Sequence, residues 1–191
     1  MSDEQLAAAL AADLDTAFEQ LALCYQRRLY AFALRVCGSR EDAEEIVQDA
    51  LIRAYRALAG YPGERRRALS VRPWLFQITI NVARNRARVR RPPTTSLDGV
   101  EAATLREPAD DAREQPEARA ETAERRRELA RLLLGLPMRY RPAVVLRHVE
   151  GLGYDEIAAI LKQPVGTVKA NVHRGVGLLR AALEREPVEV R

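Results

Sequence analysis

The residues best suited to chemistry lie between Gly153 and Arg180, in the run GYDEIAAILKQPVGTVKANVHRGVGLLR. Its apolar positions form two short helical sets, Ile157, Ala158, Ile160 and Leu161, then Val165, Val168 and Val172, on either side of Lys162-Gln163-Pro164. Pro164 has no N–H to lose and suits the opening turn of the second helix, while the small Ala158 lets the two helices approach. The spacing predicts a helix-turn-helix whose second helix turns Lys169, Asn171, His173 and Arg174 outward. The chemistry on offer is hydrogen bonding to base edges and neutralisation of phosphates, with no bond made or broken. An ordinary helical hairpin with a solvated face would share the periodicity, but not the coincidence of period, turn and basic face.

A second basic element precedes it. Residues 64 to 91 carry nine basic side chains against one acidic, and like charges at that density repel without an anionic partner. Tyr61 to Arg72 reads as a loop, with Pro62-Gly63 as turn chemistry and Arg65, Arg66 and Arg67 exposed. Pro73 can open a helix that Trp74, Leu75, Ile78, Ile80, Val82 and Ala83 carry to about Arg90. Arg72, Asn81, Arg84, Asn85, Arg88 and Arg91 along it form a track for a nucleic-acid backbone. By segment the formal charge runs −4 over 1–63, +8 over 64–91, −5 over 92–121 and +5 over 122–191, which implies a polyanion touched at two separate places.

Few aromatics and abundant Ala, Leu and Arg make an all-α chain the natural expectation. Asp13 to Val36 has helical periodicity with Gly38 as a stop, as one long helix or two abutting ones. Ser39 caps a further helix closed by Gly60, with Gln48, Asp49 and Arg53 off its apolar face. Glu121 to Leu134, Tyr140 to Val149 and the helix-turn-helix complete the chain, with fraying expected near Leu178 because Gly175 and Gly177 weaken the last helix. Residues 92–120, rich in Pro, Ala, Glu, Asp and Thr without an apolar period, read as a flexible acidic linker. Two small helical domains follow, 1–91 and 121–191, loosely tethered.

Cys24 and Cys37 lack CxxC or nearby His spacing and read as small buried apolar residues, so no metal site, disulfide framework or cofactor is expected. No run is long and apolar enough to span a membrane, and the start, with Asp3 and Glu4, is unlike a signal peptide. A cytoplasmic protein is expected. His148 and His173 both sit on basic helices, and no Gly-rich phosphate loop is present, so enzyme activity is not expected.

With these residues in view, the chain resembles an extracytoplasmic-function (ECF) sigma factor of the sigma-70 family of bacterial RNA polymerase. AEEIVQDALIRAYRAL and RPWLFQITINVARNRARVRR look like the family's region two, and LPMRYRPAVVLRHVEGLGYDEIAAILKQPVGTVKANVHRG looks like region four. The resemblance implies a non-catalytic promoter reader that binds core polymerase, recognises the minus-35 and minus-10 elements and promotes DNA melting. Gln48, Asp49 and Arg53 would then dock the clamp helices of the largest subunit, and region four the flap of the second-largest. Lys169, Ala170, Asn171, His173 and Arg174 would face the minus-35 element. Tyr61, Arg72, Trp74, Asn81, Arg84 and Arg88 would face the minus-10 element. An anti-sigma factor is a typical partner, and no membrane insertion is implied.

Physical reasons run alongside. Melting a duplex costs unpairing and unstacking, so the exposed strand must be held on arginines and a base pocketed, which a basic helix beside an aromatic loop can do. Trp74 suits either a stacking platform or, between Pro73 and Leu75, the core. The sequence departs from the family pattern where Lys162 and Gln163 replace Gly and an apolar residue, and where Ala170 and Asn171 replace Ser-Arg; the latter removes a phosphate or base contact. A stand-alone helix-turn-helix repressor would explain the C-terminal half but not the arginine helix or the asymmetric layout.

Overall fold

Helix boundaries follow the capping chemistry written in the chain. In the computed structural model, which describes residues 2–90 and 116–185, Ser2 opens α1 (Asp3–Ala12) by a reciprocal pair of hydrogen bonds with Gln5. Asp13 caps α2 (Leu14–Cys37), and Gly38 closes it at φ 81°, a left-handed angle that favours glycine. Ser39 Oγ accepts the Asp42 N–H at 3.2 Å and starts α3 (Arg40–Ala59). The short α4 (Gly63–Arg67) leads to α5 (Val71–Arg90). Asp3 pins the start of α5 from a distance, since its carboxylate accepts both the Arg72 N–H and the Tyr25 hydroxyl, the latter at 3.0 Å.

Apart from the short α4, which buries no residue, these helices each bury an apolar stripe. Leu29, Phe32 and Val36 of α2, Ile46, Ala50 and Leu58 of α3, and Leu75, Phe76 and Ile80 of α5 form the N-terminal core, with Phe32 and Phe76 edge to face at 5.0 Å. In the C-terminal half, α6 (Pro116–Gly135) precedes α7 (Arg141–Val144), which widens into a π-type turn over Val145–Val149. Helices α8 (Tyr154–Leu161) and α9 (Val165–Arg185) then cross over Leu146, Leu152, Ile157, Val168 and Val172. Among the described residues there is no strand.

Several expectations need correction. Residues 3–12 form α1, which the sequence reading left unassigned, and its Leu6, Ala7 and Leu10 are buried. The expected loop after Tyr61 contains α4, and Arg66 folds inward to donate to the Leu10 carbonyl at 2.9 Å instead of facing water. Cys24 is exposed and only Cys37 is partly buried, because Cys24 falls beside the α2 stripe and not on it. Helix α9 runs unbroken to Arg185; Gly175 is a contact point, since a Cβ there would meet Val144 Cγ2 at 2.5 Å. The linker expected over 92–120 lies outside the described residues as far as 115, and α6 begins within its last stretch. Arg91 also falls outside the described residues.

Candidate nucleic-acid interface

The reading helix is built from its apolar side outward. Val168 and Val172 anchor α9 against the domain, which leaves Lys169, Ala170, His173 and Arg174 exposed on the opposite face. Asn171, expected to face outward, is instead half-buried, because its side-chain amide turns back to donate to Gln163 Oε1 at 3.2 Å. Glu156 caps α8 by accepting the Gly153 N–H at 2.7 Å. Lys162 ends α8 at φ 52°, which turns the chain sharply enough for α9 to cross. Tyr154 lies between Arg147, 4.8 Å from its ring centre, and Lys169, 5.6 Å away. That aromatic support for Lys169 was missed in the sequence, where Tyr154 and Lys169 are 15 positions apart and belong to different helices.

The arginine helix and its flanking turn form the second surface. Tyr61 and Trp74 are both half-buried, with ring centres 6.3 Å apart, and the Arg65 guanidinium lies 3.8 Å over the Tyr61 ring. The sequence named Arg65 only as an exposed loop arginine and gave it no place in the site, although its position four residues after Tyr61 was a usable signal. Asn81 and Arg88 are exposed, and Arg88 donates to Asn85 Oδ1 at 2.8 Å. Arg86 is tied to Asp42 at 3.1 Å and to Glu45. One of the nine basic residues between 64 and 91, outside the track named above, therefore holds α5 to α3. On α3, Gln48 and Arg53 are exposed, and Asp49 pairs with Arg53 at 2.9 Å, a hydrogen bond that raises the guanidinium pKa.

Among the described residues, side-chain hydrogen bonds run between the two halves. Gln77 of α5 donates to the Ala159 carbonyl at 2.8 Å, and Arg84 to the Leu161 carbonyl at 3.3 Å. Arg141 of α7 donates to the Val36 carbonyl at 2.6 Å and to the Leu134 and Leu136 carbonyls, which caps the ends of both α2 and α6. Burial lowers the pKa of both Arg84 and Arg141. Arg72 donates to the Glu150 carbonyl and approaches its carboxylate at 3.8 Å. Of the six residues expected at the minus-10 element, then, Asn81 and Arg88 lie open, Tyr61 and Trp74 are half-covered, and Arg72 and Arg84 are engaged by protein. The reason is chemical: helix ends present unpaired carbonyls, and arginine donors satisfy them as readily as they would a phosphate.

An all-helical chain with an exposed basic helix-turn-helix face and a separate arginine-rich helix defines a two-part nucleic-acid-binding protein. Residues 21–92 match the family model for sigma-70 region 2, and residues 126–179 match that for sigma-70 region 4. The ECF RNA polymerase sigma-E factor of Escherichia coli (strain K12) is 36% identical over 162 residues, covering 83% of this chain and 82% of that one. The RNA polymerase sigma-H factor of Pseudomonas aeruginosa is 32% identical over 187 residues, covering 95% and 94%. Among solved structures, CnrH in complex with the cytosolic domain of CnrY superposes with a TM-score of 0.65 at 28% identity over 96% of this chain and 98% of that one. The sigma factor RpoE of Bartonella quintana, solved with the anti-sigma factor NepR, shares the fold, with a TM-score of 0.63 at 22% identity over 87% of this chain and 96% of that one. The chain belongs to the ECF group of the sigma-70 family, whose members are DNA-binding transcription initiation factors and not enzymes. Among the described residues, no helix is long and apolar enough to cross a membrane.

Proposed function

We propose that this chain binds core RNA polymerase in the cytoplasm, recognises promoter minus-35 and minus-10 elements, and promotes melting between them. Domain bounds of 1–91 and 121–191 with a linker over 92–120 are part of the same reading. The observation that carries it is the exposed α9 face: Lys169, His173 and Arg174 project from a helix anchored by Val168 and Val172, the arrangement that enters a major groove. In this reading Arg174 and Lys169 address bases or phosphates, Asn171 and Ala170 shape the contact, and the flap of the second-largest subunit carries the domain. Gln48, Asp49 and Arg53 dock the clamp helices of the largest subunit. Arg72, Arg84 and Arg88 hold the separated strand, with Tyr61, Trp74 and Asn81 around a captured base. An anti-sigma partner is proposed by analogy with the Bartonella relative, which was solved with one.

Run-off transcription with core polymerase and a library of promoters tests this. Initiation dependent on both the chain and the core supports it. Duplex binding without any effect on core favours a stand-alone repressor, and neither activity removes the proposal.

A further inference from the structure

Helix α1 lies outside the stretch that matches the region 2 model, which begins at residue 21. It is nevertheless packed against α2, α4 and α5, with Leu6, Ala7 and Leu10 buried. Two hydrogen bonds tie it to the segment 61–74. The Arg66 guanidinium, from the residue next to Arg65, donates to the Leu10 carbonyl at 2.9 Å. Arg66 Nε is buried there without a hydrogen-bond partner, a cost that a freely solvated arginine would not carry. Two residues before Trp74, the Arg72 N–H donates to both carboxylate oxygens of Asp3 at 3.2 Å.

A helix leaves its first N–H groups without partners inside it, and in α5 the Arg72 N–H is one of these, while Pro73 has none to offer. Asp3 therefore caps α5 from another helix, with its negative charge at the favourable end of the α5 dipole. Its carboxylate is itself held, since it also accepts the Tyr25 hydroxyl at 3.0 Å. Between the two ties stand the groups suited to receive a base: Tyr61 and Trp74, with ring centres 6.3 Å apart, and Arg65 over the Tyr61 ring at 3.8 Å. Such a surface discriminates among bases only when it is held to within about 0.5 Å. Asp3 is anionic and cannot itself attract a nucleic-acid backbone, so what it does for reading passes through the main chain it holds.

We propose that Asp3 is a positioning residue for base capture: it fixes where α5 starts and, together with the Arg66 tie to Leu10, holds Tyr61, Arg65 and Trp74 in one arrangement, so that α1 sets how sharply the chain discriminates among minus-10 sequences. This rests on the proposed reading of segment 61–74 and α5 as the minus-10 surface. A change in α1 then alters promoter choice without touching a DNA contact.

Run-off transcription by the full chain with core polymerase tests it, on the most active promoter of the library and on copies changed at single bases of the minus-10 or the minus-35 element. The readout is the ratio of transcript from the unchanged promoter to transcript from each copy, since a smaller folded fraction scales all of them alike and cancels. Asp3→Ala is expected to lower the minus-10 ratios by about fivefold, the factor to which a lost N-cap amounts, and to leave the minus-35 ratios unchanged. Asp3→Asn supplies an equally good cap and is expected to stay within about twofold of the parent. Arg66→Ala is expected to act as Asp3→Ala does, whereas Arg67→Ala removes the same charge from an exposed neighbour and is expected to change no ratio. If circular dichroism shows Asp3→Ala to be unfolded, Arg66→Ala, which removes nothing from the apolar core, decides. Minus-10 ratios that match the parent in Asp3→Ala and Arg66→Ala overturn the proposal. An equal fall in the minus-10 and minus-35 ratios also overturns it, because Asp3 is then a general prop of the fold. Initiation by the parent alongside unchanged ratios removes only the positioning role, whereas no initiation by the parent removes the reading beneath it.

Discussion

Lys162 shows how one backbone angle can set a residue's cost. At φ 52° it sits in the left-handed region, where a side chain is strained and glycine is not. Lys162→Gly is expected to stabilise the C-terminal half by about 1 kcal/mol, read as a shift in thermal midpoint; destabilisation would mean the lysine side chain earns more than its backbone costs. Arg174 belongs to the opposite category, an exposed side chain with a function to lose. Arg174→Ala is expected to weaken use of the upstream promoter element by about 1–3 kcal/mol while core binding holds, and equal promoter use by mutant and parent would remove it from the site. Tyr25 offers a test by pH. Burial, then the bond to Asp3, raises its pKa from 10.0 to about 12. The folded state thus holds this proton more tightly than the unfolded one, so the Tyr25 contribution is intact below pH 10 and lost as pH rises through about 12. Base titration followed by circular dichroism is expected to show a shallower loss of structure over that window in Tyr25→Phe than in the parent.

Elements were legible wherever a local signal decided them. Ser39, Gly38 and Gly60 marked helix ends because capping is an interaction of near neighbours, and the three residues bound those ends as the sequence suggested. Helix α1 was missed although Ser2 and Gln5 form its capping box, because a ten-residue helix has too few turns for its apolar period to stand out. Gly175 in α9 misled for a different reason: its cost to a helix is local, but its benefit lies in a neighbour the sequence does not place. Gly175→Ala tests this. The added methyl meets Val144 at 2.5 Å and Tyr140 at 3.3 Å, and overpacking of about 1–3 kcal/mol is expected to outweigh the helix-propensity gain of about 1. A higher melting temperature would show that α7 yields instead. On α3, the charged row around Asp49 pairs within itself, an i, i+4 contact that would form on any solvated helix. Its proposed role therefore turns on assembly: Asp49→Ala is expected to weaken association with core on every promoter, and unchanged association would return that face to solvent.

At the scale of the whole molecule, what the sequence could not disclose is the join between the halves. No local pattern links Arg28 to Glu150, or Arg141 to the Val36 carbonyl, because each pair lies more than 100 positions apart. The buried apolar cluster continues through both halves, yet the specific bonds across the join are arginine to carboxylate and arginine or glutamine to carbonyl. Salt separates the two contributions, since it screens the partly exposed Arg28 pair and leaves apolar burial intact or strengthened. Trp74 is the single tryptophan and reports the N-terminal half alone, whereas far-ultraviolet dichroism reports both. In urea at low salt the two signals are expected to fall together, as one cooperative unit. In about 1 M sodium chloride they are expected to part, with each half unfolding at its own midpoint. Coincident curves at both salt concentrations would place the coupling in the shared apolar contacts, and the ionic bonds across the join would then be incidental to it.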